Sequence, residues 1–362
     1  MSPPRRPGRT LVVLLLVPLL VTSGISAGVL SPSSPAVAES DESTLPAVAA
    51  STSAGEQSNR TVWQRRYGQG TFFRINDAVA SGDGYVLVGD TVGSDEKQSK
   101  GVVMAIDASG EPQWRYWFNG SAYSATAVER RPDGGVVVAG VTSYDSVQHG
   151  GGTWAAWFSA TGNRTAFETY GAGRFEDLVR SPNGGYLAVG KTSSSDSLAI
   201  RIDRDGTEQW RKEYHESDGF RDVVRSIHGQ GYVVIGKDTA VHRLDRTGRS
   251  LWRRTLATNS SGGVQGNNLS AVTALARRAD GYLVGANNGT VVSLATNGSV
   301  LDIGRIQSLD AHSIQSVLSH DGRAYFGSRA GVVRVRQGAG DFPGTLEHRN
   351  TEVMDAPLLD VE

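Results

Sequence analysis

Cysteine is absent from the 362-residue chain. That excludes disulfides, thiolate metal sites, a catalytic thiol and a cysteine-linked lipid anchor. Apolar residues are also few, at 38%, whereas glycine is abundant, at 45 residues. Glycine weakens long helices but supplies the positive φ that tight turns need, so this balance favours many short strands. Lysine is scarce (Lys97, Lys100, Lys191, Lys212 and Lys237), and the formal net charge is only −1. No basic footprint for nucleic acid is present. The repeat region has no Gly-x-Ser-x-Gly elbow and no phosphate-binding loop before a helix. The seven histidines show no zincin spacing. No catalytic residue, cofactor or firm metal site is expected.

The N-terminus carries Arg5, Arg6 and Arg9 ahead of an apolar run, Leu11 to Val21, and Ala36-Val37-Ala38 follows. This is the layout of a secretory signal, and residues 1–38 are assigned as a signal peptide or an N-terminal membrane anchor. An uncleaved segment would use residues 11–30, just long enough to span a bilayer. Residues 39–60 are rich in Ser, Ala and Glu and lack aromatics, so they read as a disordered linker. Residues 61–350 are assigned to the folded domain and residues 351–362 to a C-terminal tail.

Internal repetition decides the fold class. A turn feeding a β-branched strand recurs as Asp83-Gly84-Tyr85-Val86, Asp133-Gly134-Gly135-Val136, Asn183-Gly184-Gly185-Tyr186, Gly231-Tyr232-Val233, Asp280-Gly281-Tyr282 and Asp321-Gly322-Arg323. An alternating apolar and polar segment precedes each turn, as in Glu176 to Arg180. Downstream, a strand ends in Asp-x-x-Gly and the next carries Trp: Asp107 to Trp114, Asp203 to Trp210 and Asp245 to Trp252. Four short strands per unit predict an all-β fold, a β-propeller of about six four-stranded blades, with seven as the alternative. The tryptophans are read as packing between blades, with a sugar- or base-stacking surface as the alternative. A spare strand, Thr61 to Tyr67, is expected to close the ring beside Gly331 to Arg336; the rival is Thr345 to Arg349.

The segments Ala105 to Trp114, Arg201 to Trp210 and Arg243 to Trp252 resemble pyrroloquinoline-quinone-like, quinoprotein-type propeller repeats of prokaryotic cell surfaces. The resemblance covers roughly Trp63 to Arg336. It implies the propeller fold and the non-enzymatic branch. Quinoprotein dehydrogenases have eight blades, an adjacent cysteine pair and calcium ligands, none of which this sequence matches.

Two chemical features remain. Asp77, Asp177 and Asp222 sit at similar places on the innermost strands, with Thr126, Thr273 and Ser316 as the equivalents elsewhere. They form either a ring of channel-mouth carboxylates able to hold a cation or a set of backbone caps. Seven Asn-x-Ser/Thr sequons, at Asn59, Asn119, Asn163, Asn259, Asn268, Asn288 and Asn297, are glycosylation candidates. The function expected is an exported binding scaffold, extracellular or at the cell surface, with an unknown envelope protein or glycan as partner. An enzyme using the channel mouth (a lyase, hydrolase or degenerate oxidoreductase) is the alternative. The connections Thr91 to Lys100, Ser143 to Gly152 and Thr258 to Asn268 are candidates for a recognition face.

Overall fold

The inner strands of each repeat are almost continuously apolar, and the architecture explains why. The structure, a computed structural model, describes residues 72–92, 100–118, 123–142, 152–215, 218–227, 231–237, 239–256, 269, 271–305, 314–320, 323–328, 331–336 and 351–354. The signal or anchor 1–38, the linker 39–60 and strand Thr61 to Tyr67 lie outside them. The described residues form six four-stranded antiparallel sheets, each a simple meander from the inside outward. Blade 1 comprises β1 (Phe72–Ser81), β2 (Gly84–Val92), β3 (Gly101–Ile106) and β4 (Pro112–Trp117). Blade 2 comprises β5 (Tyr123–Arg130), β6 (Val136–Thr142), β7 (Gly152–Phe158) and β8 (Arg164–Ala172). Blade 3 comprises β9 (Arg174–Arg180), β10 (Tyr186–Lys191), β11 (Ser197–Ile202) and β12 (Glu208–Tyr214). Blade 4 comprises β13 (Phe220–Arg225), β14 (Tyr232–Gly236), β15 (Ala240–Leu244) and β16 (Ser250–Thr255). Blade 5 comprises β17 (Val272–Arg277), β18 (Gly281–Ala286), β19 (Thr290–Ala295) and β20 (Val300–Arg305). Blade 6 comprises β21 (Ile314–His320), β22 (Arg323–Ser328), β23 (Gly331–Arg336) and β24 (Thr351–Met354).

The core is a stack of layers, one at each junction between blades. Strand β10 shows the principle. Tyr186 and Ala188 pack towards blade 2, while Leu187 and Val189 pack towards blade 4. Successive side chains of a strand point to opposite faces, so a strand sandwiched between two blades must be apolar at every position. Further layers join blades 1 and 2, blades 4 and 5, and blades 5 and 6. The outer strands have one edge in water and are far less buried, as β4 and β16 are.

The Asp-x-x-Gly motif is the turn between the third and fourth strands. In blade 4 the Asp245 carboxylate accepts the N–H groups of Thr247 and Arg249 at 2.8 and 3.0 Å. Gly248 donates to the Asp245 carbonyl at 3.1 Å and holds φ at +79°. That glycine is also the seat of the preceding blade's tryptophan. A Cβ placed on it would lie 2.8 Å from the Trp210 ring, whose Nε1 donates to the Arg246 carbonyl at 3.1 Å. Trp114 meets Gly162 and Trp252 meets Gly298 in the same way. The tryptophans at these three junctions therefore bind blade to blade.

Two sequence expectations are corrected here. At the junction of blades 2 and 3 the tryptophan does not come from the strand after the turn, where the other repeats carry it. Ala166 occupies the tryptophan position, and Trp157, directly opposite it on β7, fills the seat against Gly206. The second concerns the end of the chain. Both edges of β23 are occupied, by β22 and by β24. The outer strand beside Gly331 to Arg336 is thus Thr351–Met354, from the stretch assigned as a tail, rather than the expected Thr61 to Tyr67, which lies outside the described residues.

Replacing Gly248 by Ala should cost about 3 kcal/mol, combining positive φ with a clash against an indole. Gly82, at φ +64° with nothing within 4 Å of an added Cβ, should lose only about 1 kcal/mol on the same change. Urea midpoints of the two variants check this ordering.

Candidate functional site

The inward-facing polar groups sit on a belt of β-bulges. In each innermost strand one residue is skipped in the pairing with the second strand: Asn76, Thr126, Glu176, Arg221, Thr273 and Gln315. The strand-interior glycines of the repeat make room for it. A Cβ on Gly89 or Gly190 would fall within 2 Å of the Arg74 or Arg174 carbonyl oxygen. Glycine inside a strand marks such close backbone approach.

The bulged side chains reach the next blade. Asn76 Nδ2 donates to the Ala125 carbonyl at 2.8 Å, and Thr126 Oγ1 to the Phe175 carbonyl at 2.9 Å. Arg221 Nε donates to the Thr273 carbonyl at 3.1 Å, and Thr273 in turn to the Ile314 carbonyl. Glu176 instead pairs with Arg174 at 3.1 Å and with Lys237 of blade 4 at 3.3 Å.

The residue after the bulge carries the three aspartates. Asp77 accepts from Ala78 N at 2.7 Å and from Val128 N of blade 2 at 2.8 Å. Asp177 accepts from Leu178 N at 2.7 Å and from Val223 N of blade 4 at 2.8 Å. Asp222 accepts from Leu275 N of blade 5 at 2.7 Å. Each carboxylate thus ties a backbone N–H of the next blade, which is the capping geometry carried across a junction. The equivalent positions in blades 2 and 5 are Ala127 and Ala274, not Thr126 and Thr273, because those threonines are the bulged residues themselves. Ser316 does occupy the position expected of it.

The aspartates are close enough to act on one another. Asp177 and Asp222 share a hydrogen bond. Burial pushes the Asp77 carboxyl up to about 7, against the pull of its two N–H donors. Burial, and then the neighbouring Asp222 charge, holds Asp177 well above the ordinary carboxylate range, and burial raises Asp222 too. Among the described residues no three acidic or histidine side chains are placed to hold a metal ion. What this arrangement does chemically is bind protons more tightly than ordinary carboxylates do while bridging blades.

Of the sequons, Asn163 and Asn297 are exposed in the outer turns of blades 2 and 5, and Asn288 is half-buried beside the buried Thr290. Asn59, Asn119, Asn259 and Asn268 lie outside the described residues. From the sequence, Thr126 and Thr273 are named only as equivalents of the aspartates, and the bulged donors Asn76 and Arg221 are missed, although the glycine in the adjacent strand signals a bulge there.

A family model described as "Outer membrane protein assembly factor BamB" matches residues 47–342. The chain belongs to this family of PQQ-like repeat propellers. No curated protein matches it. Solved structures resemble it at low identity. A protein of unknown function from Bacteroides caccae is 14% identical, with 71% of this chain and 89% of that one covered and a TM-score of 0.49. BamB from Moraxella catarrhalis is 15% identical over 71% and 70% of the two chains, with a TM-score of 0.47. A catalytically inactive virginiamycin B lyase from Staphylococcus aureus, solved with quinupristin, is 11% identical over 72% and 80%, with a TM-score of 0.52. At that identity the likeness to the lyase speaks for the propeller fold alone. BamB-like propellers are in general protein-interaction scaffolds, and the family is associated with the bacterial envelope.

The raised carboxyls give this BamB-like propeller a pH signature. A carboxyl whose folded pKa exceeds its unfolded value contributes stability that is whole below the ordinary carboxylate pKa of about 4 and is lost as pH rises through the folded value. Melting temperature should therefore fall by a few degrees between pH 5 and pH 8. Asp177→Asn, which removes one charge of the coupled pair, should flatten that slope at some cost in overall stability. Thermal melts of both proteins across the range check it, and parallel slopes would contradict the assignment.

Proposed function

We propose that the chain is exported to the cell envelope and works there as a protein-interaction scaffold, binding its partner on one face of the propeller. The observation that carries this reading is the inequality of the two faces. In an up-and-down blade, the first-to-second and third-to-fourth strand turns share one end, and all other connections leave from the opposite end. On the turn end of blades 1 to 5 no connection is longer than six residues, and blade 6, with fourteen residues between β23 and β24, is the exception. On the opposite end the connections reach eight residues after β2, nine after β6 and sixteen after β16. The three segments singled out in the sequence all belong to that end, although most of their residues lie outside the described ones. Long connections on a rigid scaffold are where proteins place recognition.

The belt of aspartates and bulged side chains supports the same reading, since its hydrogen bonds are directed to neighbouring blades. Residues 1–38 would direct export and be removed or retained as an anchor. Asn163, exposed in a turn on the opposite face, is the sequon best placed to carry a glycan without crowding the loops.

Lys100 and Asp83 are both exposed and mark the two ends of blade 1. A photo-crosslinking residue at position 100 should give protein adducts in intact cells, and the same residue at position 83 should not. Equal labelling from both positions, or none from either, would defeat the proposal.

A further inference from the structure

Four successive blades end their innermost strand in the same residue type. Arg130 of β5 stands opposite Val136, Arg180 of β9 opposite Tyr186, Arg225 of β13 opposite Tyr232 and Arg277 of β17 opposite Tyr282. All four are exposed. The fold does not require them, since blade 1 has Ala80 opposite Tyr85 at this position and blade 6 has Ser319 opposite Ala324. Among the described residues, none of the four side chains enters a hydrogen bond or an ion pair. The next residues along, Arg131 and Arg278, are by contrast paired with Asp133 at 2.6 Å and with Asp280 at 3.2 Å.

Hydrogen bonds between blades hold the four at one height. Asp77 ties Val128 N, Asp177 ties Val223 N and Asp222 ties Leu275 N. Arg130, Arg225 and Arg277 each lie two residues beyond the tied N–H, about 7 Å along the strand. Arg180 is joined directly: Glu129 accepts its backbone N–H at 2.7 Å and that of Arg130 at 3.0 Å. Sheets packed face to face lie about 10 Å apart, so successive arginines start at about that spacing. The strands that carry them run to the turn end, and the arginines form an arc around that mouth of the channel.

Against these four guanidinium groups the inner strand ends set one acid, Glu129, and both its oxygens accept backbone N–H groups. A concave mouth lined by one sign of charge concentrates ions of the other. Guanidinium matches phosphate through a fork of two hydrogen bonds, and a phosphate monoester brings about 1.5 to 2 charges in one compact group. The inner turns project beyond the arginines and carry Asp83, Asp133 and Asp280, all exposed. A flat anionic bilayer would meet those acids first, whereas a slender soluble anion passes between them. The aspartate belt lies deeper, and its raised proton affinity weakens its repulsion. We propose that the turn-end mouth, between Arg130, Arg180, Arg225 and Arg277, binds a soluble anion bearing several phosphate groups. The site lies at the end opposite the long connections and does not depend on their role in recognition.

Calorimetric titration of the intact chain with inorganic tripolyphosphate tests this. Tripolyphosphate should bind about tenfold more tightly than inorganic phosphate, because it can engage more than one arginine. Arg225→Gln should weaken that binding about tenfold. Arg246→Gln removes the same charge from an exposed position on the outer turn of the same blade, at the same end, and should leave binding unchanged. Both variants should melt as the wild type does. Ala80→Arg extends the arc into blade 1 and should tighten binding by roughly threefold, a gain that a folding defect cannot mimic. The proposal fails if tripolyphosphate does not bind or binds no better than phosphate. It fails equally if Arg246→Gln weakens binding as much as Arg225→Gln, if Ala80→Arg brings no gain, or if phosphatidylglycerol vesicles bind while tripolyphosphate does not.

Discussion

A four-stranded sheet has two faces to bury, and in this protein the junctions between successive blades do the burying. That constraint shapes nearly everything else. It makes the second and third strands largely apolar, since both faces meet a neighbour. It places a tryptophan or its substitute where the outer strand crosses the next blade's turn, so that an indole covers a glycine lacking a Cβ. It also makes the backbone at each junction a problem of hydrogen bonding, because a bulge frees N–H and carbonyl groups that water reaches poorly. The protein answers with side chains from the preceding blade, each such bond contributing on the order of 1 kcal/mol and each missing one costing more.

The aspartate belt shows how the same device acquires electrostatic character. One carboxylate accepting two backbone N–H groups is an ordinary cap. Three of them on nearby strands, half-buried and facing one another, cannot all stay charged without cost. Burial raises the proton affinity of Asp177 and Asp222, and the Asp222 charge adds to it at Asp177. The result resembles a binding site in composition, with acidic groups gathered along the inner strands, yet the recorded bonds lead to the backbone of neighbouring blades. Alanine at the corresponding places of blades 2 and 5 keeps the number of charges at three.

Regularity makes departures from it informative. Blades 1 and 3 define what the outer turn needs: an aspartate, a glutamine to hold it and a glycine to seat the tryptophan. Blade 2 conserves the packing by moving its indole across the strand pair. Blades 4 and 5 place Leu251 and Leu301 where blades 1 and 3 have the glutamine. The first change is compensation within the fold. The second is compensated in the same turns, by Arg249 on Asp245 in blade 4 and by Asn297 on Ser299 in blade 5.

The repeat period, the four-strand blade, the positions of the turns and the interblade role of the tryptophans were all legible in the sequence. Each is a local pattern: a glycine that needs positive φ, an aspartate that caps the turn it begins, an alternation that one strand must show. Three matters were decided only by tertiary structure. A bulge shifts the pairing by one residue without changing composition, so Thr126 and Thr273 could not be told from the true equivalents Ala127 and Ala274. Trp157 replaces an outer-strand indole because it lies directly opposite Ala166, a relation that exists across strands and not along the chain. The last outer strand is four residues without an aromatic, Thr351–Met354, reached after a connection of fourteen residues. Its pairing with β23 comes from the unfilled edge that waits for it, and an unfilled edge has no signature in the sequence that fills it.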